Sequence, residues 1–318
     1  MGTTPSAAVE QYRPDIGLGF SEFDVEANQR GYVGLAIAPV MEVDVVADVY
    51  SIIPKEELMK SYSTDRAADG TYGKVNGKFE TDSYNCTENG IEERVDRRDA
   101  RRFGNYIDAE MIAAMRTRDI VLKNHNSRVI TLALAVANTN AAGTVWSTVA
   151  TASPIANVRA AKIAIRNRCG KVPNAMCCDW EAWEYLRDCA EVVERLKYSG
   201  IDDPKKANLN AVAAVLGLEE IIVSGAVTDG AIAPLAASVA SMWDRTKALV
   251  FCKSTTQDTK VPHFMRTFHW GADGSQIGAA FESYYDPTRR SDIIRHRMDT
   301  DEKVLYSDVA QVITGVLA

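Results

Sequence analysis

The chain has 318 residues, 46% of them apolar and 25% charged, with 20 Gly and 10 Pro. These are ordinary globular proportions, which exclude collagen, low-complexity disorder and a disulfide scaffold and fit one large domain or two lobes. The formal charge of -7 is poorly suited to gripping a polyanion over the whole surface, although a local basic face remains compatible with it.

No run approaches the roughly 18 apolar residues that span a bilayer, and the opening MGTTPSAAVEQYRPD lacks the basic and apolar regions of a secretory signal. No membrane partner is therefore expected, and the sequon Asn85-Cys86-Thr87 carries no meaning. Six cysteines, with no CxxC, and four scattered histidines (His125, His263, His269 and His296) fit buried reduced thiols rather than a metal site. No cofactor is expected.

Residues 1–30 are polar and Pro/Gly-punctuated and read as an extended arm. Gly31 to Val49 turns apolar, and Met41-Glu42-Val43-Asp44-Val45 alternates with period two, as an edge or half-covered strand does. Tyr50 to Asn89 is polar and Gly-spotted, and its Asn76-Gly77 suits a type I′ hairpin turn. A long excursion of this kind, which carries Lys74 and Lys78, needs something to lie upon, either a substrate or a second copy of the chain.

Glu92, Glu93, Arg94, Asp96, Arg97, Arg98, Asp99, Arg101 and Arg102 form the densest charge cluster. Its signs interleave to a net +1, so it does not resemble a phosphate-binding arginine stripe. A solvated stretch and an intersubunit salt-bridge zone are the main readings, with nucleic-acid contact a distant third. Asp96 and Asp99 lie among arginines that keep both ionised, the opposite of what a general acid needs.

Residues 106–137 repeat Ile107, Met111, Met115, Leu122, Val129, Leu132 and Val136 at near-helical spacing, with Asn105 as N-cap, predicting a helix roughly 46 Å long. His125 on it is expected to be packed or bridging. An α/β texture follows: a helix over 155–167 ended by Gly170, a strand over 172–178, and a helix capped by Asp179 that runs through Trp183 to Leu196. Beyond it come a short helix from Asn208 to Leu216 closed by Gly217, and strands over 219–224, 248–252, 292–298 and 311–317.

Chemistry is hard to find in this pattern. There is no phosphate-binding loop, dinucleotide fingerprint, HExxH or GxSxG. Ser224-Gly225 follows a strand but lacks the glycine of a nucleophile elbow. The chain is not expected to be an enzyme.

Four stretches together resemble the major capsid proteins of tailed double-stranded DNA bacteriophages with the Hong Kong 97-like fold. They are Ile52-Ile53-Pro54-Lys55, SYNCTENGIEERVDRRDARRF from Ser83, the run from Ile163 to Met176 continuing through Asp179-Trp180-Glu181-Ala182-Trp183 to Leu186, and Leu216 to Ala226. No one of them is diagnostic; their order and spacing carry the resemblance. It implies an α+β fold with an N-terminal arm and first strands (1–49), an extended β-hairpin loop (50–89) and a peripheral domain with a spine helix (90–144). An axial domain (145–275) and C-terminal strands returning to the peripheral domain (276–318) complete it.

The function that the resemblance implies is a virion shell, assembled in the host cytoplasm as pentamers and hexamers around double-stranded DNA that it contacts weakly. Implied partners are further copies of the chain, a separate scaffolding protein (the arm being too short for a built-in scaffold), a portal protein and, optionally, a decoration protein. The intersubunit contacts would come from Lys74, Lys78 and the nine residues of the charge cluster. The alternatives are an encapsulin-like compartment loading cargo enzymes and, further off, an α/β hydrolase-type enzyme or an oligomeric carbohydrate-binding module.

Overall fold

The computed structural model describes residues 11–12, 31–52, 54, 59–66, 68–78, 80–98, 109–198, 208–231, 236–256, 258–259, 261–272, 274–278 and 281–318. Asp99, Arg101, Arg102 and the expected cap Asn105 lie outside the described residues.

Two sheets organise the chain. One has six strands: β1 (Gln11–Tyr12), β2 (Val40–Val43), β5 (Thr87–Asp96), β12 (Met265–Trp270), β13 (Phe281–Asp286) and β14 (Ser291–Val304). The long strand β14 is its axis. β5 pairs antiparallel with it from Thr87 to Asp96, β13 pairs over 291–296, and β12 pairs over 300–304. β2 closes one edge by pairing parallel to β12, in keeping with the edge strand read from its alternation.

The second sheet has five strands in the order β6 (Thr139–Ala141), β15 (Ala310–Thr314), β11 (Lys247–Phe251), β7 (Ala175–Asp179) and β8 (Glu220–Ser224). Every residue of β7 is buried, so Cys177 and Cys178, on opposite faces, are both core residues. Around it lie Trp146, Val158, Ile165, Leu186, Leu196, Val212, Trp243 and Phe251, all in one hydrophobic cluster.

The chain leaves this sheet between Phe251 and Met265, before the boundary expected at 275, and β15 returns to it rather than to the six-stranded sheet. The reason is β15's burial pattern. Ala310 to Ile313 are buried throughout, which suits a strand covered on both faces and not a solvated edge.

The long helix α2 (Ala109–Leu134) is roughly 39 Å long. Its buried face runs through Ala113, Ala114, Thr117, Arg118, Val121, Leu122, His125, Asn126, Val129, Ile130 and Ala133. That differs from the expected stripe: Met111 and Met115 are only partly buried, and Leu132 is exposed. Small and polar side chains pack on the sheet here because hydrogen bonds replace apolar contact.

Helix α3 (Pro154–Cys169) starts on a proline and ends at left-handed Gly170. Asp179 caps α4 (Trp180–Asp188) by accepting from the Glu181 N–H. The single helix expected onward from there is two, α4 and α5 (Ala190–Tyr198), broken at Cys189. Cys189 Sγ faces the Trp146 carbonyl, and the Ala190 N–H is drawn to the Val149 carbonyl, so a tertiary contact outcompetes helix continuation. Helix α6 (Leu209–Leu216), capped by Asn208 and stopped at Gly217, leads into β8. A short helix α1 (Gly34–Ile37) packs on α2, where Asn126 Oδ1 accepts from the Val33 and Gly34 N–H groups at 2.9 and 2.8 Å.

Candidate assembly surface

The excursion after β2 is rooted in a two-stranded ladder of β3 (Ala47–Ile52) and β4 (Glu80–Asn85). At its foot Tyr84 stacks on Phe268 of β12 with ring centroids 4.6 Å apart, and Tyr50 lies 5.3 Å from the same ring. Cys86 and Leu305 complete the cluster. Tyr50 donates to Asp82 at 3.0 Å. Burial, with the Asp82 contact adding to it, pushes its phenol well above the ordinary range.

Pairing stops at Ile52 and Glu80. Residues 71–78 form no strand, so Asn76-Gly77 is not the turn of a hairpin ladder. The turn chemistry is present but lacks flanks able to bury anything, and two short polar strands do not hold register alone. Lys74 and Lys78 are exposed there. So are Met59, Tyr62, Tyr72 and Val75, Tyr72 at 72%. The order visible in this segment is local: Arg66 donates to the Gly70 carbonyl at 2.6 Å and lies 4.6 Å above the Tyr72 ring.

The first half of the charge cluster is strand β5. Its odd-numbered partners on β14 place Arg295 directly between Glu92 and Glu282, with Arg295–Glu92 at 2.6 Å and Arg295–Glu282 at 3.2 Å. Arg297 extends the ladder to Glu282 at 2.9 Å and Asp299 at 3.4 Å. On the opposite face Glu93 meets Arg116 of α2 at 2.6 Å. Arg97 forks onto Asp292 at 2.7 and 2.6 Å and lies 4.0 Å over the Tyr285 ring. Asp96 accepts from the Arg98 backbone N–H.

Glu92, Glu93, Asp96 and Arg97 therefore have partners within their own chain. Arg94 and Arg98 are exposed, with no side-chain partner among the described residues.

Behind this face lies a polar network that links α2 to both strands beside it. Arg128 donates to Glu302 at 2.9 and 2.8 Å, to Asn89 at 3.2 Å and to Thr300 at 3.3 Å. Burial alone would raise the Glu302 carboxyl; the hydrogen bond from Arg128 heads the contacts that hold it below the usual range. His125 Nε2 lies 3.1 Å from Thr267 Oγ1, whose proton goes to the Ala38 carbonyl, so Nε2 is the donor. Burial, with Arg128 adding to it, lowers His125 to about 4 against the pull of Glu302, and the ring is neutral at pH 7. It bridges; it has no access to a ligand.

Ser224 is fully buried and its Oγ has no partner among the described residues. A hydroxyl–imidazole–carboxylate chain does occur elsewhere, at Ser275, His269 and Glu42. Sequence reading missed it because 227 positions separate Glu42 from His269 and only the pairing of β2 with β12 unites them. Among the described residues, no group of three or more His, Cys, Asp or Glu is placed to hold a metal ion, and no helix is long and apolar enough to cross a membrane.

No protein-family model and no curated protein matches the sequence. Solved structures do match over nearly the whole fold. A phage-related protein from Bordetella bronchiseptica RB50 aligns over 97% of this chain and 98% of its own at 19% identity, with a TM-score of 0.68. The capsid of cyanophage P-SCSP1u aligns over 87% and 86% at 12% identity, TM-score 0.58. The holo-SrpI encapsulin complex of Synechococcus elongatus aligns over 88% and 89% at 13% identity, TM-score 0.53. The chain thus has a mixed α+β fold like that of these phage-related, phage capsid and encapsulin structures.

Proposed function

We propose that this chain is a major capsid protein, a structural subunit that closes as pentamers and hexamers into an icosahedral shell around double-stranded DNA. Its partners would be further copies of itself, a separate scaffolding protein, a portal protein and, optionally, a decoration protein; its place would be the virion. The fold likeness supports this reading. The observation that carries it is the connection between β3 and β4, whose described residues Met59, Tyr62, Tyr72 and Val75 face solvent beyond a firmly anchored root. A monomer gains nothing from unburied apolar side chains on such a connection, whereas a shell subunit covers them with its neighbour. Each such contact is weak alone and becomes strong through repetition round a closed shell.

The likeness to an encapsulin supports a second reading, a compartment for cargo proteins. Negative-stain electron microscopy of the protein, expressed alone and with a scaffold, tests both. Closed shells or rings of five or six are expected, and nucleic acid or protein contents separate the two. Uniform monomers under both conditions would refute shell formation.

A further inference from the structure

Glu42 and His269 face each other in the parallel register of β2 and β12. His269 Nδ1 lies 2.7 Å from Glu42 Oε2, and its Nε2 lies 3.0 Å from Ser275 Oγ. Hydroxyl to Nε2 and Nδ1 to carboxylate is the order that activates a serine for acyl transfer, whatever the fold that presents it. The connection is built by two glycines. Gly274, at φ +88°, donates to the Gly271 carbonyl at 3.1 Å, closing the turn that brings Ser275 back to the ring. A Cβ at Gly271 would stand 3.3 Å from His269 Cε1 and 3.5 Å from Glu42 Oε2, so glycine there keeps the imidazole edge uncrowded.

The three side chains line one cleft of about 450 Å³, together with Val43, Asp44 and Ile277. We propose that this cleft is an acyl-transfer site with Ser275 as nucleophile, His269 as general base and Glu42 as the group that orients the ring. It would act on small esters: Val43 and Ile277 offer apolar walls, and the carboxylates of Glu42 and Asp44 favour uncharged or cationic acyl donors over anionic ones. Ser275 Oγ forms a bond to the ester carbonyl carbon as its proton passes to His269 Nε2. The C–O bond to the alcohol breaks, and the alcohol leaves with that proton. Water then attacks the acyl-serine by the same route, releasing the carboxylic acid and restoring the hydroxyl. Ser275 and His269 are each only 2% exposed, which limits the site to small reagents.

A hydrogen-bonded lock that merely fastens the turn would have the same geometry, with the Asp299 N–H bound to Ser275 Oγ at 3.3 Å, but it would form no covalent product. The purified full-length protein is incubated with diisopropyl fluorophosphate and, separately, with p-nitrophenyl acetate, and adducts are mapped by peptide mass. The expected result is a single adduct on Ser275 and release of p-nitrophenolate. Both are lost in Ser275→Ala and slowed about 10-fold or more in Glu42→Gln, with each variant still unfolding in urea in one cooperative transition. Absence of an adduct in the native protein, an adduct on another residue, or undiminished p-nitrophenolate release by Ser275→Ala would each overturn the assignment, whether or not the protein forms shells.

Discussion

Arg128 holds helix α2 to β14 and β5, and replacing it with methionine tests whether that polar seam stabilises the fold. The change keeps the aliphatic stem and removes the guanidinium that binds Glu302 twice, Asn89 and Thr300. Glu302 has a side chain only 6% exposed and would be left without its counter-charge. Breaking a buried pair from one side costs about 3–5 kcal/mol. Because Arg128 is 34% exposed, water reaches the gap and the lower end, about 3 kcal/mol, applies. An unfolding entropy of about 2.1 cal/mol/K per residue makes that a fall of roughly 4–5 °C in Tm for a chain this long. Urea unfolding followed by tryptophan fluorescence at pH 7 measures it.

The pH dependence adds a sign. Native Glu302 sits below its ordinary pKa, so its contribution is present above the unfolded value and is lost as pH falls through the folded one. Without Arg128 the buried carboxyl instead favours its protonated form. The penalty of Arg128→Met is therefore largest at pH 7 and shrinks toward pH 4, and Arg128→Met with Glu302→Gln recovers most of it. A shift below 1 °C, or a penalty that does not change with pH, would refute the reasoning.

His125 has its pKa depressed to about 4, so the unfolded chain binds a proton that the native state refuses between about pH 6.5 and 4; stability falls through that window, and His125→Gln should flatten the slope of urea midpoint against pH. Phe268→Ala removes the ring on which Tyr84 and Tyr50 pack and should cost about 3–5 kcal/mol, with faster tryptic cleavage at Lys74 and Lys78 as the loop root loosens. Gly31→Ala meets two obstacles: Gly31 has φ +71°, and an added Cβ would lie 2.3 Å from the Gly225 nitrogen. The left-handed backbone alone costs about 1–2 kcal/mol, so a urea midpoint unchanged from the native protein would contradict that crossing of the two glycines.

The parts of this fold visible in the sequence are those whose physics is local. Asp179 as a cap, Gly170 and Gly217 as stops, and the apolar run of β8 each depend on residues within one turn or strand, and all take the expected places. What was hidden depends on partners far away. β5 reads as a solvated stretch or salt-bridge zone because Glu92, Glu93, Arg94 and Asp96 leave little that is apolar; it is a strand because β14, about 200 positions later, supplies Arg295 and a ten-residue register. The buried stripe of α2 was misplaced for a similar reason. Thr117, His125 and Asn126 count as polar in any periodicity, yet lie in the core bonded to α1, β12 or their own helix. The break at Cys189 and the Glu42–His269–Ser275 chain likewise arise from contacts that no spacing announces.

The charge cluster also allows fold and assembly to be separated, which the sequence alone did not. If the whole cluster were an intersubunit zone, reversing any of its arginines would act on assembly alone. In the structure Arg97, just past the end of β5, is bound twice to Asp292 of β14 and stacked on Tyr285, so Arg97→Glu sets two carboxylates against each other and should lower the unfolding temperature of the isolated chain. Arg94 and Arg98 project from the same strand and the turn after it without a side-chain partner among the described residues. Reversing them together, Arg94→Glu with Arg98→Glu, should leave the stability of the unassembled protein within about 0.5 kcal/mol, as for exposed sites generally. Particle yield by sedimentation should nevertheless fall, and more steeply at low salt, where exposed charges act over longer distances. Normal yield from the double variant would remove these two arginines from the subunit interface; a large loss of stability would instead show that they serve the fold.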